Sequence, residues 1–153
     1  MELRAYISVE TGQYYRQSRK NRTQFEFRPV LRNNGLTPAN KVRIITLISV
    51  SNPAIPKGFN YSIINNMVAP LASETAIGPR QERFHARIMG RYLSVSELRE
   101  IRRGAKCFHT WGTVTYEDVF GGAHYTHFSF IIFVGGKRDP TVWHSTEEYN
   151  DAD

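Results

Sequence analysis

An all-β sandwich is the fold class that this chain of 153 residues predicts, on three observations. Phe108 to Phe133 reads as one long hairpin, with two aromatic and β-branched arms joined by Glu117-Asp118-Val119-Phe120-Gly121-Gly122. Alternating apolar residues around a Gly-Gly turn are a strong local signal for antiparallel strands. The same two-residue rhythm recurs in several other segments, and only one stretch carries a helical pattern.

Leu3, Ala5, Ile7 and Val9 alternate with Arg4, Tyr6, Ser8 and Glu10, giving a half-buried first strand. Thr11 to Asn21 is polar and basic, with Gly12 to turn the chain, and is expected to be a loop. In the second strand Phe25, Phe27 and Leu31 face inward, and Gln24, Glu26, Arg28 and Arg32 outward. Pro29 shares the inward parity; lacking an N–H, it marks an edge strand or a bulge. Asn33-Asn34-Gly35 ends the strand and Thr37-Pro38-Ala39-Asn40 follows as a tight connection. Val42 to Val50 is nearly continuously apolar, as expected of a strand covered on both faces at its centre.

From Ser51 to Pro79 the pattern breaks into a long excursion punctuated by Pro and Gly, with room for one short strand or helical turn. Glu82, Phe84, Ala86 and Ile88 alternate with Arg83, His85, Arg87 and Met89 as another strand. Ser94 and Glu97 make a capping box for a helix of about nine residues, with Val95, Leu98 and Ile101 as its apolar stripe and Gly104 as its stop. The hairpin follows. Residues 1–138 form one domain, and 139–153 a polar, acidic C-terminal tail expected to be mobile.

Length allows a core without staples, and the single Cys107 excludes an intramolecular disulfide. No apolar run approaches the roughly 18 residues that span a bilayer, and the N-terminus lacks the apolar core of a secretory signal. The chain as written is therefore expected to be soluble, with the cytoplasm favoured, and membrane-associated if an anchor precedes it. Net charge is +6, yet Glu147, Glu148, Asp151 and Asp153 fall in the last ten residues, which hold no Lys or Arg. Setting them aside leaves 10 acids against 20 bases, a body that favours anionic partners or a solvated surface.

No metal site, cofactor or catalytic set is expected. His124 and His127 lie three apart on a strand and face opposite sides, while His109 on the other arm could approach one of them. Asp118 in the turn could add a carboxylate, but Asp there is explained by its bonds to local backbone. No Cys-x-x-Cys, His-Glu-x-x-His, Gly-x-Ser-x-Gly or phosphate-cradling glycine loop occurs. Cys107 shares a face with His109, yet a lone cysteine at a strand start is more often a small core residue. The binding candidates are Tyr14, Tyr15, Arg16, Arg19, Lys20 and Arg22, where two aromatics stand beside four cations in one stretch. Cations neutralise phosphate, and tyrosines stack on bases or sit at a lipid interface. Arg28, Arg32, Arg83, Arg87, Arg99, Arg102 and Arg103 add further positive charge on strands and helix.

Three stretches carry a family resemblance: Arg4-Ala5-Tyr6-Ile7, Asn33-Asn34-Gly35-Leu36-Thr37-Pro38-Ala39, and Tyr116-Glu117-Asp118-Val119-Phe120-Gly121 followed by Thr126-His127-Phe128. The chain resembles the C-terminal globular domain of uncharacterised bacterial membrane-anchored proteins, in which transmembrane helices lead into an Arg-Ala-Tyr strand. The resemblance implies an immunoglobulin-like antiparallel β-sandwich of about seven strands, with one short helix before the C-terminal hairpin. It implies no activity and brings no catalytic residues. The expected function is a non-enzymatic binding or sensing module. The alternative is a binder of an anionic polymer or surface through the basic-aromatic stretch; a metal or thiol enzyme around Cys107, His109 and His124 or His127 is third. Expected partners are a protein or an anionic ligand, acidic membrane included, with nucleic acid less favoured. Exposed edge strands leave a homodimer open.

Overall fold

The computed structural model describes residues 4–19, 22–61, 74–85, 87–88, 91–134 and 141–153, with residues 13, 15, 17, 19, 87 and 88 described by backbone alone. Its elements are β1 (Ile7–Arg19), β2 (Arg22–Asn33), β3 (Ala39–Ser51), β4 (Thr75–Ile77), β5 (Glu82–Phe84), β6 (Arg87–Ile88), α1 (Val95–Arg102), β7 (Cys107–Glu117), β8 (Ala123–Phe133) and β9 (Val142–Ser145). One sheet has the order β1-β2-β5, with β6 also paired to β2; the other has the order β4-β3-β7-β8-β9. Every pairing among the described residues is antiparallel. The described residues therefore form the expected all-β sandwich, with one short helix among them before the C-terminal hairpin.

Two contiguous apolar clusters fill the space between the sheets. Ile7, Leu31, Val42, Val114 and Phe128 anchor one, and Phe25, Phe27, Phe108 and Ile132 the other, joined by Leu93 and Ile101 from the α1 region. Each fully buried side chain of this size contributes about 1.5–3 kcal/mol over leaving it in water. The parity expected for β2 holds, since Phe25, Phe27 and Leu31 are all buried.

Pro29 lies in a central strand, not an edge one. The β1 ladder shifts register between Glu10 and Gln13, placing a bulge opposite Pro29. On the other side β5 ends at Phe84 and β6 begins at Arg87, with the His85 amide donating to the Pro29 carbonyl at 3.1 Å. Both ladders thus break at the residue with no N–H to give. Gly12 sits in the bulge because a Cβ there would fall 1.5 Å from the Arg28 carbonyl oxygen. It keeps the strand running where the sequence suggested a turn.

The Asn33-Asn34-Gly35 motif is explained by one side chain. Asn33 is fully buried; its amide nitrogen donates to the Thr37 and Ile77 carbonyls at 2.8 and 3.0 Å, and its oxygen accepts from the Tyr6 and Gly35 amides. At the start of β1, the Ile7 amide donates to the Tyr116 hydroxyl at 3.3 Å, and the Thr126 hydroxyl donates to the Ile7 carbonyl at 2.6 Å.

The centre of β3 is covered on both faces, as its continuous apolar run predicts. Val42, Ile44, Ile48 and Val50 face the sandwich core. Ile45 and Leu47 face the opposite way, under Phe59, Tyr61, Trp111 and Tyr149. Part of the Ser51–Pro79 excursion thus serves as a cover, and β4 is its short strand; Ile63 and Ile64 lie outside the described residues.

Two expectations differ. The strand over residues 82–89 divides into β5 and β6, and Phe84 is exposed instead of inward-facing; Ala86 and Met89 lie outside the described residues. The C-terminal stretch expected to be mobile lies against β8. Trp143 in β9 packs edge-on against Phe27 and Phe130, the His127 amide donates to the Asp151 carbonyl at 2.8 Å, and Thr126 bridges Ala152. A polar composition concealed the two aromatic anchors, Trp143 and Tyr149, that fix it.

Candidate functional site

In the stretch from Tyr14 to Arg22, expected to be a loop, Tyr14 to Arg19 and Arg22 are instead strand residues in the far half of the β1–β2 ladder. Tyr14 pairs with Phe27, Arg16 with Phe25, Ser18 with Thr23 and Arg19 with Arg22. The partner strand decides this, because Thr23, Phe25 and Phe27 are good strand formers with a buried face. Tyr14 is half-buried, its ring 6.1 Å from Phe25 and 6.4 Å from Phe27, so it is committed to the core. Arg16 is exposed and donates from Nε to the Ser18 hydroxyl at 3.2 Å. Arg22 is exposed, with its guanidinium 5.6 Å from the Tyr92 ring centroid. Tyr15 and Arg19 have strand backbone at this tip, and Lys20 lies outside the described residues.

What sequence could not supply is the neighbour of this tip. The Leu93 amide donates to the Thr23 carbonyl at 2.8 Å, forming an isolated bridge. Leu93 and Ile101 then pack beside Phe25. The following turn is fixed by the capping box, in which the Ser94 hydroxyl accepts from the Glu97 amide at 3.1 Å. Glu97 also takes two bonds from Arg91, at 2.9 and 2.7 Å, which hold its carboxyl well below the usual range, at about 2. Gly104, at φ 74, ends the helix.

This junction gathers charge. The stretches 16–22 and 91–106 hold nine of the 20 Lys and Arg but only two of the 14 Asp and Glu, leaving eleven against twelve elsewhere. Glu97 pairs with Arg91 and Glu100 with Lys106. Among the described residues, Arg16, Arg22, Arg99, Arg102 and Arg103 are exposed and form no ion pair. Elsewhere Arg32 pairs with Glu10 and Glu82, Arg28 with Glu26, Lys41 with Glu117 and Arg43 with Glu74, whereas Arg83 in β5 is exposed and forms no ion pair among the described residues.

The histidines do not converge. His109 is fully buried on the outer face of its sheet, bonded through Nε2 to the Ser129 hydroxyl at 2.8 Å and ringed by Phe59, Tyr61 and Trp111. Burial pulls its pKa down to about 4. His124 faces the other way, bonded to Asp118 at 2.9 Å, while His127 bonds Asp151 at 3.0 Å and stacks on Tyr149. Cys107 is buried with Ser51 as its polar neighbour, and burial pushes its thiol pKa up. Among the described residues no group of three or more His, Cys, Asp or Glu is placed to hold a metal ion. Nor is any helix among them long and apolar enough to cross a membrane.

An open groove of about 510 Å³ lies between Lys41, Arg43, Glu74, Thr115, Glu117 and Tyr125, at the opposite end of the sandwich. Its cations are the ones already paired with acids. Comparison with protein-family models, curated proteins and solved structures finds no match to this chain.

Proposed function

We propose that this protein is a non-enzymatic binding module on an immunoglobulin-like sandwich, and that it engages an anionic partner through the end formed by the β1–β2 tip and α1. The immunoglobulin-like reading is supported by strand order: the chain crosses from β2 to β3, returns from β4 to β5 beside β2, and crosses again to β7 beside β3, as in the Greek key of that fold. The Thr23–Leu93 bridge carries the binding reading, because it joins the two cation-rich stretches into one patch, in which Arg16, Arg22, Arg99, Arg102 and Arg103 form no ion pair among the described residues. Such a patch raises the local concentration of anions and speeds their encounter.

The patch also has a direction. At about 3.3 Å per residue, β1 spans on the order of 40 Å from Ile7 to Arg19. A membrane anchor preceding residue 4 would therefore join the domain at the end away from these cations, and an anchored form would hold the patch outward from its own membrane.

Retention on a heparin column tests the reading. Wild-type protein is expected to elute at markedly higher salt than the Arg16→Ala/Arg22→Ala/Arg102→Ala/Arg103→Ala variant, and at the same salt as Arg32→Ala/Lys41→Ala. Equal elution of all three proteins would overturn it.

A further inference from the structure

We infer that the anionic partner is an acidic lipid bilayer, met by Tyr92 and Val95 together with the arginines around them; this rests on the reading of that end just proposed. Val95 opens α1 and is 65% exposed, although the helical pattern assigns it to the same apolar stripe as Leu98 and Ile101. Leu98 and Ile101 pack into the core, and Val95 is left outside it. Tyr92, three residues earlier, is 48% exposed. Between them, Leu93 is tied to Thr23 and buried, and Ser94 is locked in the capping box. The turn is thus held from both sides while it presents one aromatic and one β-branched side chain to the outside.

Those two side chains stand among cations. Arg22 covers the Tyr92 ring, Arg91 adjoins it, and Arg99, Arg102 and Arg103 follow on the same short helix and its cap. Apolar side chains flanked by Lys and Arg suit the boundary between acyl chains and anionic headgroups, where the first enter and the second stay in water. Each cation near such a surface strengthens binding severalfold. A soluble polyanion has no use for Val95. Single-stranded nucleic acid binds on open aromatic faces, yet Tyr14 is packed against Phe25 and Phe27, and Tyr92 lies beneath a guanidinium. The chemistry of this turn therefore favours lipid over nucleic acid.

Cosedimentation with phosphatidylcholine vesicles, with and without phosphatidylserine, tests the inference beside the heparin column and a single-stranded oligonucleotide. Wild-type protein should bind only the vesicles that contain phosphatidylserine. Tyr92→Ser/Val95→Ser should weaken that binding about tenfold and leave heparin elution unchanged, whereas Arg102→Ala/Arg103→Ala should weaken both. All four positions are at the surface, and unchanged circular dichroism confirms that the variants fold. Failure to bind acidic vesicles with heparin retention intact would overturn the lipid inference alone. Equal vesicle binding by Tyr92→Ser/Val95→Ser, or tighter binding to the oligonucleotide than to vesicles, would do the same. Loss of heparin retention by the wild type would remove the wider reading with it.

Discussion

The Thr23 carbonyl accepts the Leu93 amide at 2.8 Å, and this one bridge fastens the tip of the β1–β2 hairpin to the segment that leads into α1. Below it, Leu93, Ile101 and Phe25 share one apolar cluster. A strand pair that would otherwise project alone, and a helix of eight residues too short to persist by itself, stabilise each other.

Leu93→Ala tests that mutual support. Leu93 is 4% exposed, and removing its isobutyl group from a packed site is expected to cost about 2–4 kcal/mol. Urea unfolding monitored by circular dichroism measures it. Because the cations on the two elements then lose their fixed separation, heparin retention should also drop, although no charge has changed.

His109 makes stability depend on pH. Its imidazole is buried, bonded to Ser129, and held near pKa 4 against about 6.5 in an unfolded chain. The unfolded state therefore takes up the proton first as pH falls. The contribution of neutral His109 is complete above about pH 6.5 and is lost progressively down to about pH 4, on the order of 3 kcal/mol in all. His109→Gln, which can keep a bond to Ser129 without titrating, is expected to shrink the difference between urea midpoints at pH 7 and pH 5. An unchanged difference would mean that other groups set the acid response.

Tyr149 is the clamp of the outer layer. Its ring stacks 4.4 Å from Tyr61 on one side and 4.2 Å from His127 on the other, and its hydroxyl meets that of Thr113 at 2.8 Å. Tyr149→Ala should destabilise by about 2–4 kcal/mol and admit water to Trp111, which is 5% exposed in the intact protein. A red shift of tryptophan emission before global unfolding would report that opening. Emission unchanged from wild type would show that Phe59 and Tyr61 suffice as the cover.

Much of this architecture can be read from residue order. The β7–β8 hairpin, the capped helix and the doubly covered β3 are local patterns, and each segment's own periodicity announces it. Asp118 in the hairpin turn likewise matches its chemistry, with its carboxylate accepting the Phe120 and Gly122 amides at 2.8 and 2.9 Å. The continuous β1 was hidden because its far half is nearly all polar; its strand character comes from Thr23 to Phe27 across the ladder. Phe84 misled in the opposite direction, carrying an inward parity that a three-residue strand does not enforce. The cations of the candidate site were visible one by one. Their meeting was not, because it depends on Thr23 and Leu93, which are distant in sequence and adjacent only once the sandwich forms.

The two side-chain bonds that occupy Ile7 have a consequence for self-association. A strand at the margin of a sheet offers unpaired backbone groups on which another chain can template itself, the first step towards fibrous aggregates. At Ile7 both groups are already occupied, the amide by the Tyr116 hydroxyl and the carbonyl by the Thr126 hydroxyl, from strands of the opposite layer. Tyr116 and Thr126 thus act as stoppers, and Tyr116→Phe or Thr126→Val would uncork a growth point while leaving the apolar interior nearly intact.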